Sequence, residues 1–147
     1  MDGTFKSSPS LFRQLYTIHG RIGPNIGDPI VPLIYSLMTS KSEQFYRILF
    51  QEVIEKADIF GIELNPAVII TDFEQAAINA AKTEFQNVRI HGCFFHLGQS
   101  IFRKIQSTEL ASRYNNDESF SLKLRKLSAL AFLKPEEIPR GFEMVII

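Results

Sequence analysis

The sequence predicts an α/β domain: a mixed sheet of three antiparallel strands and then parallel ones, with flanking helices and the start of a helical insertion. Three observations carry that expectation. The first forty residues are β-forming runs separated by turn clusters. From Ser42 onward, stretches with helical periodicity alternate with short apolar runs. Composition then supplies the core, since 45% of the 147 residues are hydrophobic and only 22% charged. Disorder would need low hydrophobicity and excess charge of one sign, whereas Lys+Arg and Asp+Glu stand at 16 each.

Gly3 to Lys6 is short and β-compatible, with Asp2 at its beginning, and Ser7-Ser8-Pro9-Ser10 is a turn cluster. Gln14 to His19 is rich in β-formers, and Gly20 to Pro29 is a second turn region. Ile30 to Leu37 is the third strand. Pro32 cannot donate to a ladder, so this strand belongs at a sheet edge. From Ser42 to Phe60 the residues Phe45, Ile48, Leu49, Val53, Ala57 and Phe60 form an amphipathic stripe, with Gly61 as the stop. Ala67 to Thr71 is a continuous apolar run after Pro66, as expected of a buried strand, and Asp72 ends it. Phe73 to Phe85 resumes helical spacing with a face of alanines that permits close packing on a sheet. Val88 to Phe94 reads as a strand, Leu97 to Ile105 as a helix and Ser119 to Leu133 as another. The resulting order, β-β-β-α-β-α-β-α and then further helices, is that of the ribonuclease H-like fold. No repeat or linker divides the chain, so it reads as one domain.

Several function classes drop out. No apolar run approaches the roughly 20 residues that span a bilayer, the amino terminus lacks the apolar segment of a signal peptide, and one Cys makes no intrachain disulfide. An intracellular domain with no membrane partner is the expectation. Gly20, Gly23 and Gly27 match neither nucleotide-binding fingerprint, so no small-molecule nucleotide substrate is indicated. Charge is uneven: residues 41 to 87 carry 4 Lys/Arg and 8 Asp/Glu, residues 88 to 126 carry 7 and 3. Arg103-Lys104, Lys123 and Arg125-Lys126 form either a basic face for phosphate or an ordinary solvated surface.

Two constellations carry chemistry. If the first and fourth strands are neighbours, Asp2 and Asp72 converge although 70 positions apart, and paired carboxylates are what Mg²⁺ or Mn²⁺ requires for phosphoryl transfer. The plainer alternatives are a solvated terminal acid for Asp2 and a helix N-cap for Asp72. In His91-Gly92-Cys93-Phe94-Phe95-His96, the gap between Cys93 and His96 lets both reach one Zn²⁺. Structural zinc takes four ligands, and besides His91 only His19 remains. The pair is thus part of an incomplete site, or is buried at a strand–helix junction.

Asp2-Gly3-Thr4-Phe5, Thr71 to Ala77, Gly92 to Gln99 and Leu124 to Phe132 together resemble the transposase domain of Mutator-like elements. The resemblance implies a ribonuclease H-like core, about residues 1–107, followed by the start of a helical insertion, about 108–147. It implies DNA cutting and joining by an Asp, Asp, Glu triad with Mg²⁺ or Mn²⁺. By position Asp2 matches the first catalytic acid, Asp72 the second, and Cys93 with His96 the family's Cys-x-x-His element. The third acid has no assignable match, because Glu118, Glu136, Glu137 and Glu143 all fall too early. The resemblance therefore implies a piece of a longer transposase, catalytically incomplete by itself. The other reading is a host-adopted, non-enzymatic derivative that binds DNA or protein. Further implications are transposon-end DNA as partner, a homo-oligomer and nuclear residence.

Overall fold

The computed structural model describes the backbone of residues 2–4, 9–25 and 27–146 and the side chains of 9–25 and 27–145. The chain is α/β and divides into two compact units, residues 1–92 and 93–147.

In the first unit, β1 (Asp2–Thr4), β2 (Gln14–Arg21) and β3 (Ile30–Met38) form an antiparallel sheet in the order β1-β2-β3. Asp2 stands opposite Thr17, and Thr17 opposite Tyr35. β3 lies at the edge, as Pro32 demands. The register shifts between Ile18 and His19, which face Ile34 and Pro32, so Leu33 is the extra residue of a bulge beside the proline. Helix α1 (Glu43–Ile59) leads to β4 (Val68–Thr71), then α2 (Gln75–Glu84) and β5 (Arg89–Gly92). β4 and β5 pair in parallel, with Ile69 opposite Ile90 and Thr71 opposite Gly92.

The single mixed sheet expected from the sequence is two sheets among the described residues, β1-β2-β3 and β4-β5. A three-residue β1 offers few ladder bonds, and those it makes go to β2. β1 and β4 each keep one edge without ladder partners among the described residues. Phe5 and Lys6, placed in the first strand by the sequence reading, lie outside the described residues.

The core gathers Tyr16 and Met38 from the sheet, Tyr46 and Phe50 from α1, Ile69 from β4, and the alanine face of α2 with Phe85. Tyr16 meets Tyr46 edge-on with centroids 5.1 Å apart, and Phe50 meets Phe85 at 5.5 Å. The α1 stripe is rotated from the expected one. Tyr46 and Phe50 are buried, while Phe45, Ile48 and Phe60 are exposed. This helix carries apolar residues around most of its circumference, so periodicity alone does not fix the inward face. A polar seam ties α1 to α2: Arg47 donates to Glu84 at 2.6 Å and Gln51 to the same carboxylate at 3.1 Å, while Asn79 donates to Glu43 at 3.0 Å.

The second unit is helical: α3 (Phe94–Ser107), α4 (Ala111–Asn116), α5 (Glu118–Ala129) and α6 (Ile138–Ile146), with 3₁₀ turns at Leu130–Phe132 and Pro135–Glu137. Among its described residues Ile105 is the buried apolar one and Ser121 the buried polar one. Aromatic pairs hold it together, Phe94 with Phe132 at 5.0 Å and Phe102 with Tyr114 at 5.8 Å. The Asp117 carboxylate caps α5 by accepting from Phe120 N–H at 2.9 Å. Among the described residues no helix is long and apolar enough to cross a membrane.

Candidate functional site

Asp72 follows the last residue of β4, where a parallel strand hands over to a helix and where ligands of open α/β sheets gather. It is half-buried and is not the N-cap of the following helix. α2 begins at Gln75, two residues later than periodicity suggests, because Asp72 Oδ1 accepts from Glu74 N–H at 3.1 Å. That Asx turn holds residues 72–74 out of the helix. No described residue donates to Asp72 Oδ2.

Glu74 links this turn to the core. Its Oε2 accepts from Lys41 Nζ at 2.8 Å and its Oε1 from the Tyr46 hydroxyl at 2.9 Å. The Tyr46 oxygen in turn accepts from Gln14 Nε2 at 2.8 Å. Gln14 and Tyr46 are fully buried, so this chain of bonds runs in a low-dielectric interior where each member orients the next. Burial pushes the Tyr46 phenol well above its ordinary value; the bond from Gln14 opposes this and the Glu74 carboxylate adds to it. Both Glu74 oxygens are engaged, which makes this residue a brace for the turn. The sequence reading missed Gln14, Lys41, Tyr46 and Glu74. The only signal was Glu74's place inside the Thr-Asp-Phe-Glu block.

Asp2 is placed by its backbone alone, in β1 opposite Thr17. Its side chain lies outside the described residues, so the pairing with Asp72 is a matter for proposal.

Cys93 and His96 sit differently from the expected strand position. β5 stops at Gly92; Cys93 is the N-cap of α3, its carbonyl accepting from Leu97 N–H at 3.0 Å, and His96 is in the first turn. The two stand three residues apart at one helix end, a spacing that places them on one face. Among the described residues no group of three His, Cys, Asp or Glu gathers where it could hold a metal. His19 and His91 belong to the first unit, on β2 and β5.

The basic residues of the second unit are exposed, and Arg125 is engaged locally, its Nε donating to the Tyr114 hydroxyl at 3.4 Å. Glu118 opens α5, Glu136 and Glu137 lie in a 3₁₀ turn and Glu143 is in α6.

No curated protein and no solved structure matches the chain. A family model, that of the MULE transposase domain, matches residues 1–100. That span covers all of the first unit, with the Asp72 turn and the Cys93–His96 helix start, and the chain belongs to the MULE transposase domain family.

Proposed function

We propose that this domain is the ribonuclease H-like core of a DNA transposase in which Asp2 and Asp72 hold Mg²⁺ or Mn²⁺. The observation that carries the reading is Asp72 itself: a braced carboxylate at the carboxyl end of a parallel strand, with Oδ2 uncommitted to any described residue. A hard oxygen donor of this kind suits Mg²⁺ and Mn²⁺. Membership of the MULE transposase domain family supports DNA as the partner.

Element order supports the fold. Three antiparallel strands precede the parallel pair, and the unused edges of β1 and β4 are where a continuous mixed sheet would join. Such a join would bring the backbone of Asp2 beside the strand that ends at Asp72. A bound divalent ion would activate the attacking oxygen and stabilise the leaving one in strand cleavage. The protein's own residues do the positioning. The Asx turn fixes Asp72, Glu74 anchors that turn to Lys41 and Tyr46, and Gln14 orients the Tyr46 hydroxyl.

With Glu74 engaged and no assignable third acid, the 147-residue chain is expected to bind metal and DNA without completing strand transfer. Cys93 and His96 would contribute two of the four ligands of a zinc site and need others to close it. Transposon ends as the substrate, a homo-oligomer and nuclear residence belong to the same reading.

The test is iron-directed cleavage of the protein. Fe²⁺ replacing Mg²⁺, with ascorbate and peroxide, cuts the backbone beside the ion. Cuts near both Asp2 and Asp72, suppressed by excess Mg²⁺ and lost in Asp72→Asn, are expected. Cleavage near only one of the two acids, or near neither, would overturn the paired site.

A further inference from the structure

A groove of about 620 Å³ runs along β5 on the side away from β4. Arg89, Ile90, His91 and Gly92 of β5 line it with Phe73 and with Ile78 and Lys82 of α2, and no residue of β4 reaches it. It follows a sheet edge that no described strand covers. Arg89 N–H donates to the Ala67 carbonyl at 3.1 Å, toward β4. Successive residues of a strand send their N–H and C=O groups to opposite edges, so those of Ile90 and Gly92 face the groove. Unpaired groups in such a row are a template for one more strand.

Side chains around that edge divide between the two faces of the sheet. Ile90 turns toward α2 and packs on the core, and on that face Ile78 and Lys82 line the groove. The half-exposed Phe73 ring closes its end, held over Gly92, where an added Cβ would come within 2.6 Å of Phe73 Cε1. Arg89 and His91 point to the opposite face, with the exposed Val68 and Ile70. Lys82, Arg89 and His91 are exposed and make no ion pair or side-chain hydrogen bond to a described residue. No described carboxylate lines the groove. Lys41 and Arg47 of the same unit, by contrast, are committed to Glu74 and Glu84.

A ligand lying on one face would meet Lys82 or the Arg89–His91 pair, not both. A strand added in the plane of the sheet meets both, because its own side chains alternate between the faces. We propose that the β5 edge takes up an extended acidic peptide of a partner protein, paired through its backbone with Ile90 and Gly92. Carboxylates on one face of that peptide meet Arg89 and His91, whose separation of about 6.6 Å is that of alternate residues in any strand. On its other face a carboxylate meets Lys82, and apolar side chains lie against Ile78, Ile90 and Phe73. A nucleic-acid strand would offer phosphates to the basic groups but no amide ladder to Ile90 and Gly92. The inference does not depend on the metal reading of Asp72.

Since β4 and β5 are parallel, the connecting α2 runs the opposite way, and Lys82, Ile78 and Phe73 follow one another toward the Gly92 end of the groove. The test uses the full 147-residue chain and a fluorescent peptide, Glu-Glu-Glu-Val-Glu-Val, whose even-numbered residues would meet those three in order. Affinity is read by anisotropy. Lys82→Glu and Arg89→Glu, each alone, are expected to weaken binding about 2- to 30-fold, since each turns an exposed attraction into a repulsion of similar size. N-methylation of the peptide at one alternate set of residues is expected to abolish binding, and at the other set to leave it intact. On binding, the Ile90 and Gly92 amides should gain protection from hydrogen exchange, while the Arg89 amide, already bonded to β4, should not change. Because Lys82 and Arg89 are exposed, an unchanged melting temperature shows that each variant is folded.

A peptide that fails to bind at low salt would overturn the proposal. So would binding that senses only one of the two charge reversals, which would put the ligand on one face of the sheet. Tolerance of N-methylation at both sets, or unchanged exchange at Ile90, would reveal a site built from side chains alone and remove the added strand. A single-stranded oligonucleotide that binds with both charge sensitivities where the peptide does not would assign the groove to nucleic acid instead.

Discussion

The two units keep their order by different means. In residues 1–92 large aromatics from the sheet and α1 are buried together, and a row of buried polar groups leads from Gln14 to the Asp72 turn. Among the described residues of 93–147 the only buried apolar side chain is Ile105, while Phe95, Phe132 and Met144 are each at least 70% exposed. The first unit can hold a carboxylate in place, because displacing Asp72 would disturb a chain of bonds anchored in close-packed core. The second is a set of short helices with ring pairs between them and few buried side chains among its described residues. Under the proposed function, chemistry that needs fixed geometry belongs to the first.

The widest separation between the units is expected from aromatic deletions. Phe50→Ala should cost about 3–5 kcal/mol, a large fraction of the stability of a small domain, because it opens a cavity against Phe85. Phe132→Ala should cost about 0.5–1.5 kcal/mol, the value of one ring pair. Urea titration followed by far-ultraviolet circular dichroism measures both, and equal losses would remove the contrast. Within the second unit, Ile105→Ala should cost about 2–5 kcal/mol and exceed every deletion of an exposed ring there.

Tyr46→Phe comes next, at about 1–3 kcal/mol, because it leaves Gln14 Nε2 and Glu74 Oε1 short of a partner. It also has a pH signature. The phenol is raised above its ordinary 10.0 in the folded chain, so its contribution is present below pH 10 and is lost as pH rises beyond that, where only the unfolded chain ionises. The parent should lose stability above pH 10 more steeply than Tyr46→Phe, measured by chemical denaturation at each pH. Parallel pH profiles would contradict the buried network.

The smallest effect is at the start of α5. Phe120 N–H, donating to Asp117, holds that carboxyl below its ordinary 3.8, and Arg113 adds to the depression. Its stabilisation is present above pH 3.8 and is lost as pH falls through the depressed value. Helix signal from the parent should decline in that window more than signal from Asp117→Ala. Identical acid titrations would remove the cap from the account.

Legibility in the sequence follows how local each signal is. The order of the first eight elements was readable because strands and helices there differ in period, and Pro32 marked an edge strand by its missing donor. Boundaries failed where side chains bond to the backbone or caps intervene. Asp72 delays α2 through an Asx turn, and Phe94-Phe95, β-forming by composition, open α3 behind the Cys93 cap. The inward face of α1 was misassigned because Tyr46, the residue that reaches the site, counts weakly as apolar beside Phe45 and Ile48. The place of Asp72 at the end of a strand was legible. Its supports were not: Gln14 and Tyr46 are 32 positions apart, Tyr46 and Glu74 28, and nothing local signals such contacts.

The most direct measurement is the melting temperature of the chain with and without millimolar Mn²⁺, beside Asp2→Asn and Asp72→Asn. Metal that binds only the folded state raises the melting temperature by mass action. The account predicts a rise in the parent chain that each substitution abolishes, since both acids are proposed ligands of one site. A cooperative melt with no metal-dependent shift, or a shift that survives Asp72→Asn, would contradict it.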